Sequence, residues 1–296
     1  MKTGGKNKKL KILITGASGQ LGKKIIELFD KKYQLILTDI QNMDITNILQ
    51  VKNTIIKEKP DFIIHSAAYT QVDKAEENKD ICKKINTFGT KNIAVIASKF
   101  NIPLIYISTD FVFDGKKNTP YNEKDVPKPI SIYGQTKYAG EKFIQKFCKK
   151  YYIIRTSWLF GELPKDYPGT NFVEVMLKLA KEKKELKVVN DQIGSPTYTG
   201  DLVKIIFKMI TQKPTYGIYH FSGKGACSWY DFAKEIFAQT KTRINLTPIK
   251  SVNYPQKAPR PAYSYLDKRK IEKALNIKPR RWQKMIKSFL SNKYDF

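Results

Sequence analysis

The chain has 296 residues, 41% of them hydrophobic, enough for one sizeable core with a smaller lobe beside it. Its formal charge of +27, from 54 basic against 27 acidic residues, raises the question of a nucleic-acid partner; the lysines are dispersed, arginine is scarce and no RNA- or DNA-binding motif appears, so none is expected. No run approaches the ~20 apolar residues of a membrane span, and the basic start Met1 to Lys9 lacks the apolar core of a signal peptide, so a flexible tail, no membrane partner and a cytoplasmic location are expected.

The first apolar run, Leu10 to Thr15, reads as a strand and leads into Gly16-Ala17-Ser18-Gly19-Gln20-Leu21-Gly22. Ile25, Ile26, Leu28 and Phe29 then recur with helical spacing. Strand, glycine turn and helix in that order form a dinucleotide-binding opening: the glycines permit a tight turn and close backbone approach, and the helix N-terminus faces a pyrophosphate. The spacing is G-x-x-G-x-x-G, unlike the G-x-G-x-x-G of many dehydrogenases. A second strand, Tyr33 to Thr38, ends at Asp39, about 20 residues past the turn, where a carboxylate meets the adenosine ribose. A carboxylate there favours NADH, whereas neighbouring lysines suit NADPH, so both cofactors stay open. Asp44 and Ile45 either line an adenine pocket or, for Asp44, supply a helix N-cap.

The third strand, Asp61 to His65, runs into Ser66-Ala67-Ala68-Tyr69-Thr70, whose small residues leave room for a cofactor. His65, alone at a strand end, reads as structural, as does His220. The fourth strand, Ile102 to Ile107, ends in Ser108-Thr109-Asp110, which puts two hydroxyls at the carboxyl edge where open α/β sheets bind ligands. A hydroxyl there hydrogen-bonds a substrate oxygen and shares its developing negative charge. Tyr133 and Lys137 follow, four apart and so on one face of a helix. An ammonium near a phenol lowers the tyrosine pKa from about 10, so the hydroxyl exchanges a proton with a carbonyl near neutral pH. That is the acid/base chemistry of a carbonyl reductase.

Further on, Tyr151 to Arg155 reads as a strand, Phe172 to Lys181 as a helix, Leu186 to Val189 as a strand and Asp201 to Ile210 as an amphipathic helix. Gly217 to Phe221 is a strand, Ser228 to Phe237 a helix opened by a capping-box-like Ser228 and Asp231, and Asp267 to Leu275 a helix. This alternation predicts an α/β fold: a Rossmann-type doubly wound parallel sheet with a smaller, interleaved C-terminal substrate-binding lobe. Residues 1–9 form the tail, 10–165 the NAD(P)-binding domain, and 166–296 mainly the lobe, with strands near 186–189 and 217–221 returning to the sheet. Trp158, Trp229 and Trp282 each have a core reading, and only Trp158, beside the expected cleft, is a functional candidate. Cys82, Cys148 and Cys227 lie far apart without metal-ligand or CxxC spacing and are expected as free thiols.

Together these segments resemble an extended short-chain dehydrogenase/reductase and, within that group, the dTDP-4-dehydrorhamnose reductase family. The resemblance runs along nearly the whole chain. It is carried by Gly19 to Gly22, Ala67 to Thr70 with Val72, Asp73, Ala75 and Glu76, Tyr106 to Asp110 with Val112 to Gly115, and Tyr133 with Lys137. Arg155 to Trp158, Asn171-Phe172, Val188 to Gln192, Gly194 to Thr197, Ser228-Trp229 and Arg260-Pro261 extend it.

The resemblance implies NAD(P)H-dependent reduction of the 4-keto group of dTDP-4-dehydro-L-rhamnose to dTDP-L-rhamnose, the last step of dTDP-rhamnose synthesis for surface polysaccharide. By position it implies that Tyr133 donates the proton, that Lys137 tunes it and holds the nicotinamide ribose, and that Thr109 orients the carbonyl oxygen. Cofactor contacts fall on Gly16, Gly19, Gln20, Leu21, Gly22, Asp39, Asp44, Ile45, Ala68, Tyr69 and Thr70. Sugar-nucleotide contacts fall on Thr109, Asp110 and Trp158, and at the diphosphate on Arg260, for which a structural ion pair is the competing reading. Asn86 is expected to order the site through water.

Three positions depart from the family pattern. His65 stands where relatives have Asn or Asp. Lys24 stands where some relatives carry a glutamate in a Mg²⁺-linked dimer contact; a cation cannot replace that ligand, which argues against magnesium and that dimer while leaving a homodimer open. Phe111 stands where Tyr is frequent, which removes one hydrogen bond to the sugar or diphosphate. Phe111 also argues against a 4,6-dehydratase, which needs an acid/base there. The alternatives are a reductase or epimerase of another nucleotide sugar, and a regulatory subunit resembling the methionine adenosyltransferase beta subunit; an intact Thr109, Tyr133 and Lys137 favour the enzyme.

Overall fold

Parallel strands covered on both faces read as unbroken apolar runs. Lys11–Thr15 (β1), Phe62–His65 (β3), Leu104–Thr109 (β4) and Tyr151–Thr156 (β5) are such runs, buried almost end to end, while Gln34–Thr38 (β2) is partly exposed and takes the sheet edge. The computed structural model describes residues 9–165 and 167–293, so of the basic segment Met1 to Lys9 only Lys9 lies among the described residues. Three short pairs lie outside the central sheet: Leu159–Phe160 (β6) with Thr197–Tyr198 (β9), Glu185–Val189 (β7) with Asn245–Ile249 (β12), and Ile193–Gly194 (β8) with Cys227–Ser228 (β11). Gly217–His220 (β10) completes a six-stranded parallel sheet of order β10-β5-β4-β3-β1-β2. The chain leaves β1 toward β2 and then returns to β3 on the other side. That reversal opens a crevice at the carboxyl ends of β1 and β3.

One expected strand goes elsewhere. Residues 186–189 pair with β12 and not with the central sheet, whereas β10 does return to it beside β5. The reason is in the burial pattern: Glu185 and Lys187 of β7 are exposed and Leu186 and Val188 buried, so one face meets solvent. A central parallel strand needs both faces covered.

Helices cover the sheet on both sides. Side chains alternate along β1, with Ile12 and Ile14 entering one apolar cluster and Leu13 the other. The first cluster takes Gln20–Phe29 (α1), Phe172–Glu182 (α7), Thr199–Gln212 (α8), Trp229–Gln239 (α9), Arg269–Leu275 (α10) and Trp282–Lys293 (α11). The second takes Ile48–Glu58 (α2), Thr90–Lys99 (α5) and Ile132–Phe147 (α6). Between β3 and α5 run Val72–Glu77 (α3), Lys79–Lys83 (α4) and a π-helical stretch, Lys84–Gly89. The first cluster is continuous from Ile12 to Phe289, so the sheet and the later helices share one core. The capping box at Ser228 and Asp231 forms as its sequence predicts, and the three cysteines are buried free thiols. Among the described residues no helix is long and apolar enough to cross a membrane.

Both histidines are fully buried. His65 Nδ1 lies 2.7 Å from Thr15 Oγ1, its Nε2 3.0 Å from Thr90 Oγ1, and its ring stacks on Tyr106. Burial, helped by the charge of Lys137, pulls its pKa from 6.5 to about 3, and burial also carries His220 well below its usual value. The unfolded chain therefore binds protons that the folded chain refuses as pH falls below about 6.5. The histidines' contribution to stability is fully present above that value and declines below it, by at most about 1.4 kcal/mol per pH unit for each. Urea unfolding between pH 7.5 and 5 checks this: the midpoint should fall steadily with acidification, and a flat midpoint rules the account out.

Candidate functional site

The crevice is built first by glycine. Gly16 adopts φ +69°, and a Cβ on it would sit 2.8 Å from Ala67 Cα. A Cβ on Gly22 would stand 2.3 Å from the Gly16 carbonyl oxygen, so only glycine lets the first turn of α1 close on the end of β1. Gly19 precedes α1 without any side-chain cap, which leaves the first helical N–H groups available to an anion. Gln20 Nε2 is buried beside them with no hydrogen-bond partner among the described residues. Asp39, at the end of β2, accepts a hydrogen bond from Ser18 N–H at 2.6 Å and so ties that strand to the turn.

These groups open onto a cavity of about 610 Å³. Every residue expected at the cofactor lines it except Tyr69, and so do all four expected at the sugar nucleotide. Tyr69 is held away by its own backbone: its N–H donates to Asn86 Oδ1 at 2.8 Å and its carbonyl accepts from Asn86 Nδ2 at 3.1 Å. Asn86 thus proves to be a buried clamp, also reaching Thr136 Oγ1 at 3.3 Å, and does not line the cavity. The N-cap reading of Asp44 also falls. Asn47 caps α2, while Asp44 accepts from the Thr46 N–H and hydroxyl at the cavity wall.

The residues expected to carry the chemistry meet where α6 begins against the end of β4. Ser131 caps α6 by accepting from Gly134 N–H at 3.2 Å, and a Cβ on Gly134 would stand 2.2 Å from the Phe111 carbonyl oxygen, so the helix start sits hard against that segment. The Tyr133 ring meets Phe111 edge-on at 5.6 Å. Thr109 Oγ1 donates to Asp110 Oδ1 at 3.1 Å and accepts from Phe111 N–H at 3.2 Å. Asp110 is fully buried, which lifts its carboxyl from the usual range to about 6. Lys137 is buried one turn past Tyr133; its Nζ donates to the Ile107 carbonyl at 2.8 Å and lies 4.0 Å over the Tyr106 ring.

That placement corrects the expected pKa logic. Burial, only partly offset by a hydrogen bond with Thr109, holds the Tyr133 phenol above its usual 10. Lys137, desolvated and turned to Ile107, is itself pulled down to about 7 despite Glu141. The phenol is therefore neutral at physiological pH, the form a proton donor needs.

Aromatic rings close the far side. Trp158 sits at φ +47°, a costly conformation for an indole-bearing residue. Its ring stacks on Trp229 at 3.6 Å with planes 10° apart, and a Cβ on Gly194 would stand 2.6 Å from it, so it is clamped from two directions. Trp229 also lines the cavity, against its core assignment from sequence. The Ser228 cap immediately before it was the available signal, since it puts Trp229 in the first turn of α9. Arg260 forms the structural ion pair, its Nη1 and Nη2 donating to Asp73 Oδ1 and Oδ2 at 3.0 and 2.7 Å, and it also lines the cavity. Arg260 in turn holds the Asp73 carboxyl below the usual range. Lys24 is buried between Glu27 at 2.7 Å and Glu162 at 3.0 Å. Among the described residues no group of three or more His, Cys, Asp or Glu is placed to hold a metal ion.

Residues 10–294 match the family described as RmlD substrate binding domain. The chain is 41% identical to the spore coat polysaccharide biosynthesis protein SpsK of Bacillus subtilis, over 96% of this chain and 98% of that protein. It is 40% identical to the dTDP-4-dehydrorhamnose reductase of Aggregatibacter actinomycetemcomitans, over 94% and 97%. The solved structure of dTDP-4-dehydrorhamnose reductase from Bacillus anthracis in complex with NADP is similar at a TM-score of 0.92 and 42% identity, covering 96% of this chain and 99% of that one.

Proposed function

Because the chain belongs to the dTDP-4-dehydrorhamnose reductase family, we propose that it reduces the 4-keto group of dTDP-4-dehydro-L-rhamnose with NADPH or NADH, giving dTDP-L-rhamnose. The observation that carries this reading is the convergence of Thr109, Tyr133 and Lys137 on the same cavity as the glycine cradle. The cradle fits a dinucleotide: Gly22 lets the start of α1 close on the end of β1, the N–H groups there lack a capping side chain, and Gln20 Nε2 is a buried donor without a partner among the described residues. Residues 10–165 would hold the cofactor and 166–296 mainly the sugar nucleotide.

The nicotinamide cofactor, when bound, supplies a hydride to the carbonyl carbon. The chain's own residues handle the oxygen. Thr109 turns its hydroxyl from Asp110 toward the carbonyl oxygen and Tyr133 delivers its phenolic proton to it, so the developing alkoxide never stands uncompensated. The phenolate left on Tyr133 is stabilised by the Lys137 ammonium on the next turn of α6. Asp110 and Trp158 set the sugar in place, and Arg260, already at the wall, offers its guanidinium to the diphosphate. Phe111 brings no acid to the position a dehydratase would use, which argues against elimination.

The test is the fall in nicotinamide absorbance when the purified protein meets dTDP-4-dehydro-L-rhamnose, with NADPH and NADH run separately. Oxidation that requires the sugar is the expected result. Cofactor binding without oxidation in either case would redirect the assignment to another nucleotide sugar or to a regulatory subunit.

A further inference from the structure

The helix that carries Tyr133 and Lys137 places a third ionisable residue on the same face, Glu141, one turn beyond the lysine. It is fully buried and outside the cavity. Its Oε1 accepts from Ser108 Oγ at 2.5 Å and from Arg155 Nε at 3.0 Å, and its Oε2 accepts from Arg155 Nη2 at 2.6 Å. Ser108 and Arg155 are register partners on β4 and β5, each one residue before its strand ends. His220, the register partner of Arg155 on β10, lies with Nε2 3.4 Å from Arg155 Nη1. One carboxylate therefore ties α6 to the ends of two neighbouring strands, and through Arg155 reaches a third, immediately before Thr109.

A buried ion pair is a poor stabiliser compared with well-packed apolar groups of the same volume. Its location points to a different use. We infer that Glu141 is a positioning residue for the reduction: its charge keeps Lys137 an ammonium in a dry site, and its bond to Ser108 fixes the adjoining Thr109 hydroxyl relative to Tyr133. The second half of this rests on the proposed reductase activity.

The groups that face Lys137 support the assignment. They are Cys82 from α4, Tyr106 from β4, His65 from β3, and Tyr133 and Glu141 from α6 itself. His65 stays neutral, and burial raises the Cys82 thiol and the two phenols, so none of these four supplies an anion at neutral pH. Glu141, ion-paired to Arg155, is the remaining one and the counter-charge to burial at the lysine. Without it, the Ile107 carbonyl and the face of the Tyr106 ring are left to oppose desolvation at Lys137.

The experiment follows Lys137 directly, by NMR titration of the full-length protein carrying ε-¹³C lysine, with Lys137→Met to assign the signal. Alongside it, the pH dependence of kcat/KM for the cofactor is measured with dTDP-4-dehydro-L-rhamnose. Glu141→Gln should move the Lys137 midpoint down by about one pH unit and carry the basic limb of kcat/KM with it. Because that variant leaves Arg155 unpaired, the double variant Glu141→Leu with Arg155→Met is made as well; folded by circular dichroism, it should show the same shift. Ser108→Ala keeps the ion pair and the fold, and should lower kcat about tenfold with the Lys137 midpoint unmoved. A folded Glu141 variant with wild-type midpoint, or Ser108→Ala with wild-type kcat, overturns the inference. If the wild type turns over no sugar, the activity assignment fails while the NMR midpoint still decides the role of Glu141 at Lys137.

Discussion

Tyr133→Phe is expected to lower kcat by about 10³-fold while leaving the affinity for NADPH or NADH within about twofold. The substitution deletes one oxygen and keeps the ring, so the edge-on contact with Phe111 and the packing of the first turn of α6 survive. What disappears is the proton. With the phenol held neutral by burial, Tyr133 keeps its proton at physiological pH, and the Thr109 hydroxyl beside it is far too weak an acid to replace it. Steady-state turnover together with cofactor titration by nicotinamide fluorescence separates the two effects. Turnover equal to wild type would remove Tyr133 from the chemistry, and loss of cofactor binding in parallel would mean that its hydroxyl holds the cofactor as well as supplying the proton.

The second large effect belongs to Lys137. Lys137→Met fills the same buried space without the charge, and should cost about 10²-fold in kcat and raise the cofactor KM about tenfold. The pH behaviour distinguishes a charge effect from a packing effect. An amine pulled down to about 7 by burial is an ammonium below that value and loses its proton above it. In the wild type, kcat/KM for the cofactor, which reports the free enzyme, should therefore decline as pH rises through about 7. In Lys137→Met that limb should vanish. A variant that loses activity yet keeps the limb would assign the titration to another group.

Much of this site is legible in sequence because its parts are local. The strand, glycine turn and helix from Lys11 to Phe29 need only short-range sterics, and so do the Tyr133/Lys137 spacing and the Ser228 capping box. Elements set by distant partners are another matter. Strand β7 alternates well enough to be recognised, but its partner, β12, lies about sixty residues away and carries a proline and two polar residues that hide it. Asn86 clamps Tyr69 and Glu141 pairs with Arg155 only after the chain has folded back on itself, and neither contact leaves a periodic trace. The sign of the Tyr133 shift failed for a related reason: spacing on a helix says that two residues share a face, not where a flexible lysine sends its ammonium. Helix α11 is local in the same sense: Trp282, Met285, Ile286, Phe289 and Leu290 recur at helical spacing and all are buried.

The apolar cluster that runs unbroken from Ile12 to Phe289 has a thermodynamic consequence. The sheet face beside the glycine turn and the helices α7 to α11 share this one interior, so they are expected to lose structure in one cooperative step. A dinucleotide bound only at the glycine turn therefore protects the distant helix α11 against unfolding by the full linkage free energy, RT ln(1 + [L]/Kd). Occupancy at the glycine turn is thereby expected to appear as slower amide exchange in α11, before any sugar arrives.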